Sequence, residues 1–586
     1  MRTRVLLALI VIAGAVAGGW PLDGARAGGA SFTVDSVADA VDAAPGDGVC
    51  ATAVGACTLR AAVQESNALA GPDAIALPAG VYELTAAGAD EDSGATGDLD
   101  VRDDLTIAGA GPSLTIIDGT AQDRVLDVDP GAGGIDVELS GLTVRNGDAL
   151  EGGGLLNSAE LALRDIAISG NHGAAGGGIA NRGGAVLSLS RVTITGNSAG
   201  TAGAIQNVGS VIAAESSLSG NTTSDDGGAV VNLGTFTATA SRFDDNESGD
   251  NGGAFWGSGR LEISGSSLSG NTAMDEGGAI VNFGGGAVTL MDSVVSGNQA
   301  VNLRGGGLVN FIGSTMTVVE TTVSDNMAGT LGGGVLNNGT LTLERSTVSG
   351  NVAGGAGGGL QAGGTTTMTN VTISGNTAGG GGGGIVNDGT LAVASVTIAA
   401  NTSGAPGGGI AGGGAAVAAN AILAENAPDN CAGAVASLGN NLDDGTSCGF
   451  GQATDLTDVD AQLEPLAGNG GRTRTHALAA QSPAVDAGGD AACPAVDQRG
   501  VARPQGTGCD IGAFELGGAP AVAGDANCDG VANSLDAAIV LQYAAGLVDS
   551  LPCLALADVN GDGRVDAIDA ALILQYDAGL LDMLSI

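Results

Sequence analysis

The chain has no lysine. Its 19 basic residues are all arginine and face 63 acidic ones, for a formal net charge of −44. A surface of that sign repels nucleic acid and acidic membranes, and polyanionic sugars too unless a cation bridges them. Histidine is nearly missing, with two residues, and none of the close cysteine pairs has a Cys-x-x-Cys spacing, so nothing points to zinc. Aromatic residues are 2% of the chain; surface for stacking against flat ligands is scarce, and any cluster of it is informative. Beyond the apolar run at the N-terminus no stretch is apolar enough, for long enough, to predict a transmembrane segment.

What is present begins with an export signal. Arg2-Thr3-Arg4 precedes an apolar run over residues 5–18 and then Ala25-Arg26-Ala27, which reads as a signal peptide over 1–27, cut after Ala27. The eight cysteines agree with an oxidising destination, secreted, extracellular or cell-surface. They fall into close pairs, Cys50 with Cys57, Cys431 with Cys448, Cys493 with Cys509 and Cys528 with Cys553, which read as disulfides.

The dominant pattern is periodic. Asparagine stands at Asn146, Asn171, Asn197, Asn221, Asn246, Asn271, Asn298, Asn326, Asn351, Asn376, Asn401 and Asn426. The interval is about 25 residues throughout, which marks a repeat architecture. One period reads Thr340-Leu341-Thr342-Leu343, then Thr347-Val348-Ser349-Gly350-Asn351, then glycines and Leu360. Short alternating β-branched and apolar runs between glycine clusters are strands joined by tight turns. A coil this short cannot bury its own apolar side chains and must stack on its neighbours. The expected fold is mainly β: a right-handed parallel β-helix over 86–426, with a cap over 28–85, a second cap over 427–516 and a small helical module over 524–586.

In such a solenoid equivalent residues lie about 4.8 Å apart, so the asparagines form a hydrogen-bonded column and also suit the left-handed corner. A second column follows the glycines at Asn157, Asn181, Asn207, Asn232, Asn282, Asn310, Asn337 and Asn387, with Trp256 expected in the gap between Asn232 and Asn282. Both columns describe scaffold, not chemistry.

Three segments resemble known families. Cys57-Thr58-Leu59-Arg60-Ala61-Ala62, with Pro45-Gly46-Asp47-Gly48 ahead of it, resembles the CSLREA-type segment that precedes β-helices in bacterial surface proteins; a helix over 59–69 would plug the open end. Turns such as Gly277-Gly278-Ala279-Ile280, with Phe243-Asp244-Asp245-Asn246, resemble the repeats of polymorphic outer-membrane proteins. Ser482-Pro483-Ala484-Val485-Asp486-Ala487-Gly488, Asp497-Gln498-Arg499-Gly500 and Cys509-Asp510-Ile511-Gly512 resemble the choice-of-anchor segment that closes such solenoids. Asp486, Asp497, Arg499, Arg503 and Asp510 are expected to form a buried ion-pair network there.

The tail carries the most specific chemistry. Asp525, Asn527, Asp529, the Val531 carbonyl, Asn533 and Asp536 occupy positions 1, 3, 5, 7, 9 and 12 of a loop with Gly530 at position 6. The same pattern returns once more as Asp558, Asn560, Asp562, Arg564, Asp566 and Asp569. Hard oxygen ligands at this spacing predict two Ca²⁺ sites. Each loop leads into one apolar helix, expected over 537–545 and 570–578. One helix per loop and Asp at position 12 resemble a type I dockerin, and the resemblance implies a cohesin domain as partner.

On the solenoid, Asp225, Asp250 and Asp275 recur at the interval of the coils, joined by Asp226 and Glu276. They should stack at one corner, near Phe236, Phe243, Phe255, Phe283, Phe311 and Trp256. That predicts a glycan groove of acids beside an aromatic platform, weighed against core phenylalanines beside a solvated corner. His172-Gly173 stands alone and reads as a turn. Two function classes stay open: a non-catalytic exported surface or complex protein, and a glycosidase or polysaccharide lyase carried on a dockerin.

Overall fold

The computed structural model describes residues 29–88, 93–128, 134–517, 522–527, 531–548, 550, 551, 553–561, 563–578, 580, 581 and 584. The expected signal peptide over 1–27, Cys528, Asp529 and Asp562 lie outside them. The body is a parallel β-solenoid of four sheets. In the coil that starts at Thr340, Thr340–Glu344 lies on the first face, Thr347–Ser349 on the second, Val352–Ala353 on the third and Leu360–Ala362 on the fourth. These faces carry 16, 16, 11 and 14 strands, and every pairing between them is parallel.

Alternation explains the faces. Leu341 and Leu343 point inward and are buried while Thr340 is exposed. One continuous apolar core runs from Phe32 to Phe450. The sheets reach beyond the expected limits of 86–426: the first face begins at Ser31–Thr33 and the second ends at Leu456–Thr457.

Glycine marks the corners for two different reasons. Gly277 has φ 66°, the left-handed turn that a Cβ disfavours. At its neighbour Gly278 a Cβ would lie 2.2 Å from the Gly306 carbonyl oxygen, because the next coil passes directly against it.

The first asparagine column is buried and continuous. Asn197 donates from its backbone N and from Nδ2 to Asn221 Oδ1, at 3.1 and 3.0 Å, and the pattern repeats to Asn426. Two expectations are corrected. Asn146 stands outside the column, since the register aligns Gly147 with Asn171, and its side chain reaches Asp118 instead. The left-handed corner belongs to the residue before each column asparagine, such as Gly220 with φ 60° and Asp245 with φ 56°, not to the asparagine.

The second column runs from Asn157 through Asn181 and Asn207 to Asn232 at 2.8 Å per step, and resumes from Asn282 to Asn337. Trp256 does not fill its gap. Gly257 aligns with Asn232 and Asn282, while Trp256 aligns with Val231 and Val281.

A helix stands near the start of the solenoid. Helix α1 (Leu59–Ala68) is capped by Thr58, which accepts from the Ala61 N–H, and packs on Asp73–Leu77 and Leu99–Val101. Its Arg60 is 1% exposed, paired with Asp39 at 2.6 Å, and donates to the Gly94, Gly97 and Asp98 carbonyls. The segment after residue 463, expected as part of a cap over 427–516, lies outside the four faces. It folds back along the second face as a strap, with Gln498 bonded to Thr347 and Thr372, His476 to Ser374 and Arg472 to Asp292. The ion-pair network lies inside this strap. Arg499 pairs with Asp497 at 2.8 Å and Arg503 with Glu515 at 3.5 Å. Asp510 accepts from the Asp486 and Leu516 N–H groups. Three cysteine pairs form the expected disulfides, Cys50–Cys57, Cys431–Cys448 and Cys493–Cys509, and Cys553 is disulfide-bonded.

Candidate functional site

The acidic corner forms as its spacing predicts. The Asp250 N–H donates to the Asp225 carbonyl at 3.1 Å, and the Asp275 N–H to the Asp250 carbonyl at 2.9 Å. One residue on, a second column runs from Asp226 through Asn251 and Glu276 to Arg304. Asn251 Nδ2 donates to Asp226 at 2.9 Å and Arg304 Nε to Glu276 at 2.6 Å. Carboxylate oxygens of Asp225, Asp226 and Asp250 come within 4.8 Å of one another. Burial, against the Asn251 hydrogen bond, raises the Asp226 carboxyl above its usual range, with Asp225 and Asp250 adding repulsion. Asp250 is raised by burial first, then by the charges of Asp275 and Asp225.

The aromatic residues separate into two sets. Phe236, Phe243 and Phe255 are fully buried and meet edge-to-face, with centroids 4.7–6.1 Å apart. They are core and leave the expected platform. Trp256, Phe283 and Phe311 lie half-buried on the outside of the fourth face, around Val281, Val309 and Leu336. Trp256 and Phe283 have centroids 4.3 Å apart. Acids and aromatics adjoin: Arg304, paired with Glu276, places its guanidinium 5.7 Å from the Phe311 centroid, and Trp256 packs on corner Gly252.

His172 is not a turn residue. It opens strand His172–Ala175, in register between Asp148 and Ser198, with Nδ1 3.0 Å from Ser198 Oγ.

In the tail, helices α2 (Ser534–Ala544) and α3 (Ala567–Asp577) begin three residues earlier than expected, because the loop's last positions already lie in the first turn. Asn533 and Asp536, positions 9 and 12, are the two ends of a capping box; so are Asp566 and Asp569. The fully buried Asp536 carboxylate accepts from the Asn527 and Asn533 N–H groups, at 3.0 and 2.9 Å. Asp569, equally buried, accepts from Val559 and Asp566, at 3.0 and 2.8 Å. Buried carboxylates held by backbone N–H donors, with Asp525 itself 1% exposed, are a donor set that fits a hard cation. The Ser534 N–H donates to Asp577 at 3.0 Å, setting the start of α2 beside the end of α3.

Residues 523–576 match the dockerin type I domain.

No curated protein matches the chain. Among solved structures the chain is similar to pectate lyase Pel9A, at 12% identity over 84% of this chain and 97% of that one, with a TM-score of 0.23. It is also similar to the A-module of the Azotobacter vinelandii mannuronan C-5 epimerase AlgE6, at 16% identity over 65% of this chain and 94% of that one, with a TM-score of 0.25. Scores this low carry no argument about the site.

A further acidic cluster stands in the first coils, outside the asparagine period. Asp98, Asp100 and Asp127 bring carboxylate oxygens within 4.8 Å, and Arg124 pairs with Asp98 at 2.9 Å and Asp127 at 3.0 Å. Burial raises Asp98 to about 7, against the pull of Arg124. The repeated Leu99-Asp100-Val101 and Leu126-Asp127-Val128, paired in register, was its visible signal.

Proposed function

We propose that the protein is an exported, non-catalytic component of an extracellular complex, fixed to its scaffold by the dockerin and presenting the solenoid to glycans. The observation that carries this is the dockerin itself, with its two capped loops. Asp525, Asn527, Asp529, the Val531 carbonyl, Asn533 and Asp536 would hold one Ca²⁺, and Asp558, Asn560, Asp562, the Arg564 carbonyl, Asp566 and Asp569 the other. Calcium supplies the charge that lets these buried acids pack. The residues themselves order the first turns of α2 and α3 for a cohesin partner. The segments 28–85 and 427–516 fit a CSLREA-type start and a choice-of-anchor end, the assembly of a bacterial surface protein. On the solenoid, Trp256 and Phe283 give a face for sugar rings, while Asp225, Asp226, Asp250, Asp275 and Glu276 give acceptors for hydroxyls or for a bridging cation.

A second reading, a polysaccharide-degrading enzyme, is favoured by one observation. Asp250 is held above the usual carboxylate range by burial and by the charges of Asp275 and Asp225, and a raised carboxyl beside a second carboxyl is the pairing that glycoside cleavage uses. Incubation of residues 28–586 with plant, algal and bacterial polysaccharides in calcium separates the two. Retention on a polysaccharide without new reducing ends supports the first reading. New reducing ends that vanish in Asp250→Asn establish the second. If no polysaccharide is retained or cut, the glycan-facing role is wrong.

A further inference from the structure

The third face does not have one depth along the solenoid. Between the column position and the left-handed corner, four residues intervene in the coils Gly147 to Gly152, Asn171 to Gly176 and Asn197 to Ala202. Five intervene from Asn221 to Gly227, Asn246 to Gly252 and Asn271 to Gly277. The coils with the shorter third-face stretch form four-residue strands, Asp148–Glu151, His172–Ala175 and Ser198–Thr201, where the later ones keep two residues in the sheet. An open groove of about 640 Å³ lies over these three strands, lined by Asp148, Leu150, His172, Gly173, Gly200 and Ser224 among others. It ends at Ser224, the residue before Asp225, where the coil lengthens and the acidic corner begins.

The lining has a definite chemistry. Asp148, His172 and Ser198 stand in register on adjacent strands, one strand spacing apart, about 4.8 Å. They are a row of polar groups along the solenoid axis, with Asp148 and His172 lining the groove and Ser198 bonded to His172 behind them. The floor is Gly173, Ala199 and Gly200, which leaves room above the backbone, and Leu150, 79% exposed, gives an apolar flank. The adjacent cation, Arg182, is already paired with Glu151 at 3.1 Å, so the row offers an anion little. The volume falls within the range of ligand sites, roughly 300–1,000 Å³, but the groove is open and crosses successive coils. That shape suits a chain laid along the axis, and the row of polar groups suits one whose hydroxyls recur.

We propose that this groove binds a neutral polysaccharide chain, laid along the axis from Asp148 past His172 and Ser198 to the Asp225 corner. The proposal rests on the glycan-facing reading above and adds the class of glycan and a place for it on a different face from Trp256.

The test is titration calorimetry of residues 28–586 with cellohexaose and mannohexaose, and with hexagalacturonate in calcium as the charged comparison. Three groove variants are used: Asp148→Ala, His172→Ala and Ala174→Trp, the last placing a bulky ring in the groove from an exposed position. A neutral hexasaccharide should bind, and each variant should weaken it at least about tenfold with an unchanged melting temperature. If a neutral chain binds and Trp256→Ala weakens it while the groove variants do not, the groove assignment is overturned and the glycan reading stands. Binding of hexagalacturonate alone overturns the neutral class. No binding to any of the three overturns the proposal; if polysaccharides are also not retained in the panel experiment, the glycan reading falls with it.

Discussion

Asn271 sends two hydrogen bonds to one atom: its backbone N and its Nδ2 both reach Asn298 Oδ1 at 2.9 Å. Nδ2 also donates to the Phe243 carbonyl at 2.8 Å, so a single side chain ties its coil to the coils on both sides. Replacement by alanine strands buried donors and acceptors and should cost about 1–3 kcal/mol. Urea unfolding of Asn271→Ala measures it. A loss as small as that of an exposed control, Asn302→Ala, would contradict the column's role.

The dockerin loops reuse their calcium positions as helix caps. Asp536→Asn keeps a group at the cap but removes the negative charge, while Asp536→Ala removes both. Calcium affinity should fall in both variants, and helicity of the calcium-free chain should fall further in the alanine one. Calorimetry and circular dichroism with and without EGTA read the two effects separately. Chelation should lower a dockerin transition and leave the solenoid's own transition in place.

Asp98 gives the solenoid a pH dependence of definite sign. Its folded pKa of about 7 lies above its ordinary value of 3.8, so the folded state binds more protons than the unfolded one between those values. Its contribution to stability therefore falls as pH rises from about 4 to 7 and is flat above. Asp98→Asn should raise the melting temperature at pH 8 and change it little at pH 4. Equal effects at both would overturn the assignment.

Gln498 is the clasp of the strap. Its Nε2 donates to Thr347 and Thr473 Oγ1 at 2.9 Å, and its Oε1 accepts from Thr372 at 2.6 Å. Gln498→Leu keeps the volume and leaves three hydroxyls without this partner. Limited proteolysis should then cut within 463–517 first, with the solenoid intact. Simultaneous loss of both would show that the strap is part of the core.

The solenoid was legible because one interval carries it. The even return of Asn351, Asn376 and Asn401 predicts the stacking that the register confirms. The loops of the tail were legible because oxygen ligands at fixed positions have few other uses. Interiors and exteriors were harder to separate. Phe255 and Trp256 are adjacent, and a strand sends neighbours to opposite faces, so one is core and the other surface. Composition alone grouped them. A column of hydroxyls also went unread: the backbone N of Ser216 donates to Ser241 Oγ, that of Ser241 to Ser266 Oγ and that of Ser266 to Ser293 Oγ. Serine is common between strands and its period hides among other serines. The groove over His172 was invisible because it arises from one residue fewer on the third face, a difference in depth that no side chain announces.

Docking through the tail is tested by cohesin capture. Residues 28–586 are passed over an immobilised type I cohesin panel in calcium and then in EGTA. The prediction is capture by at least one cohesin in calcium, release in EGTA, and loss of capture when Asp536→Ala and Asp569→Ala are combined. Capture that survives EGTA and the double variant, or no capture by any cohesin while the dockerin is folded and calcium-loaded, would contradict it.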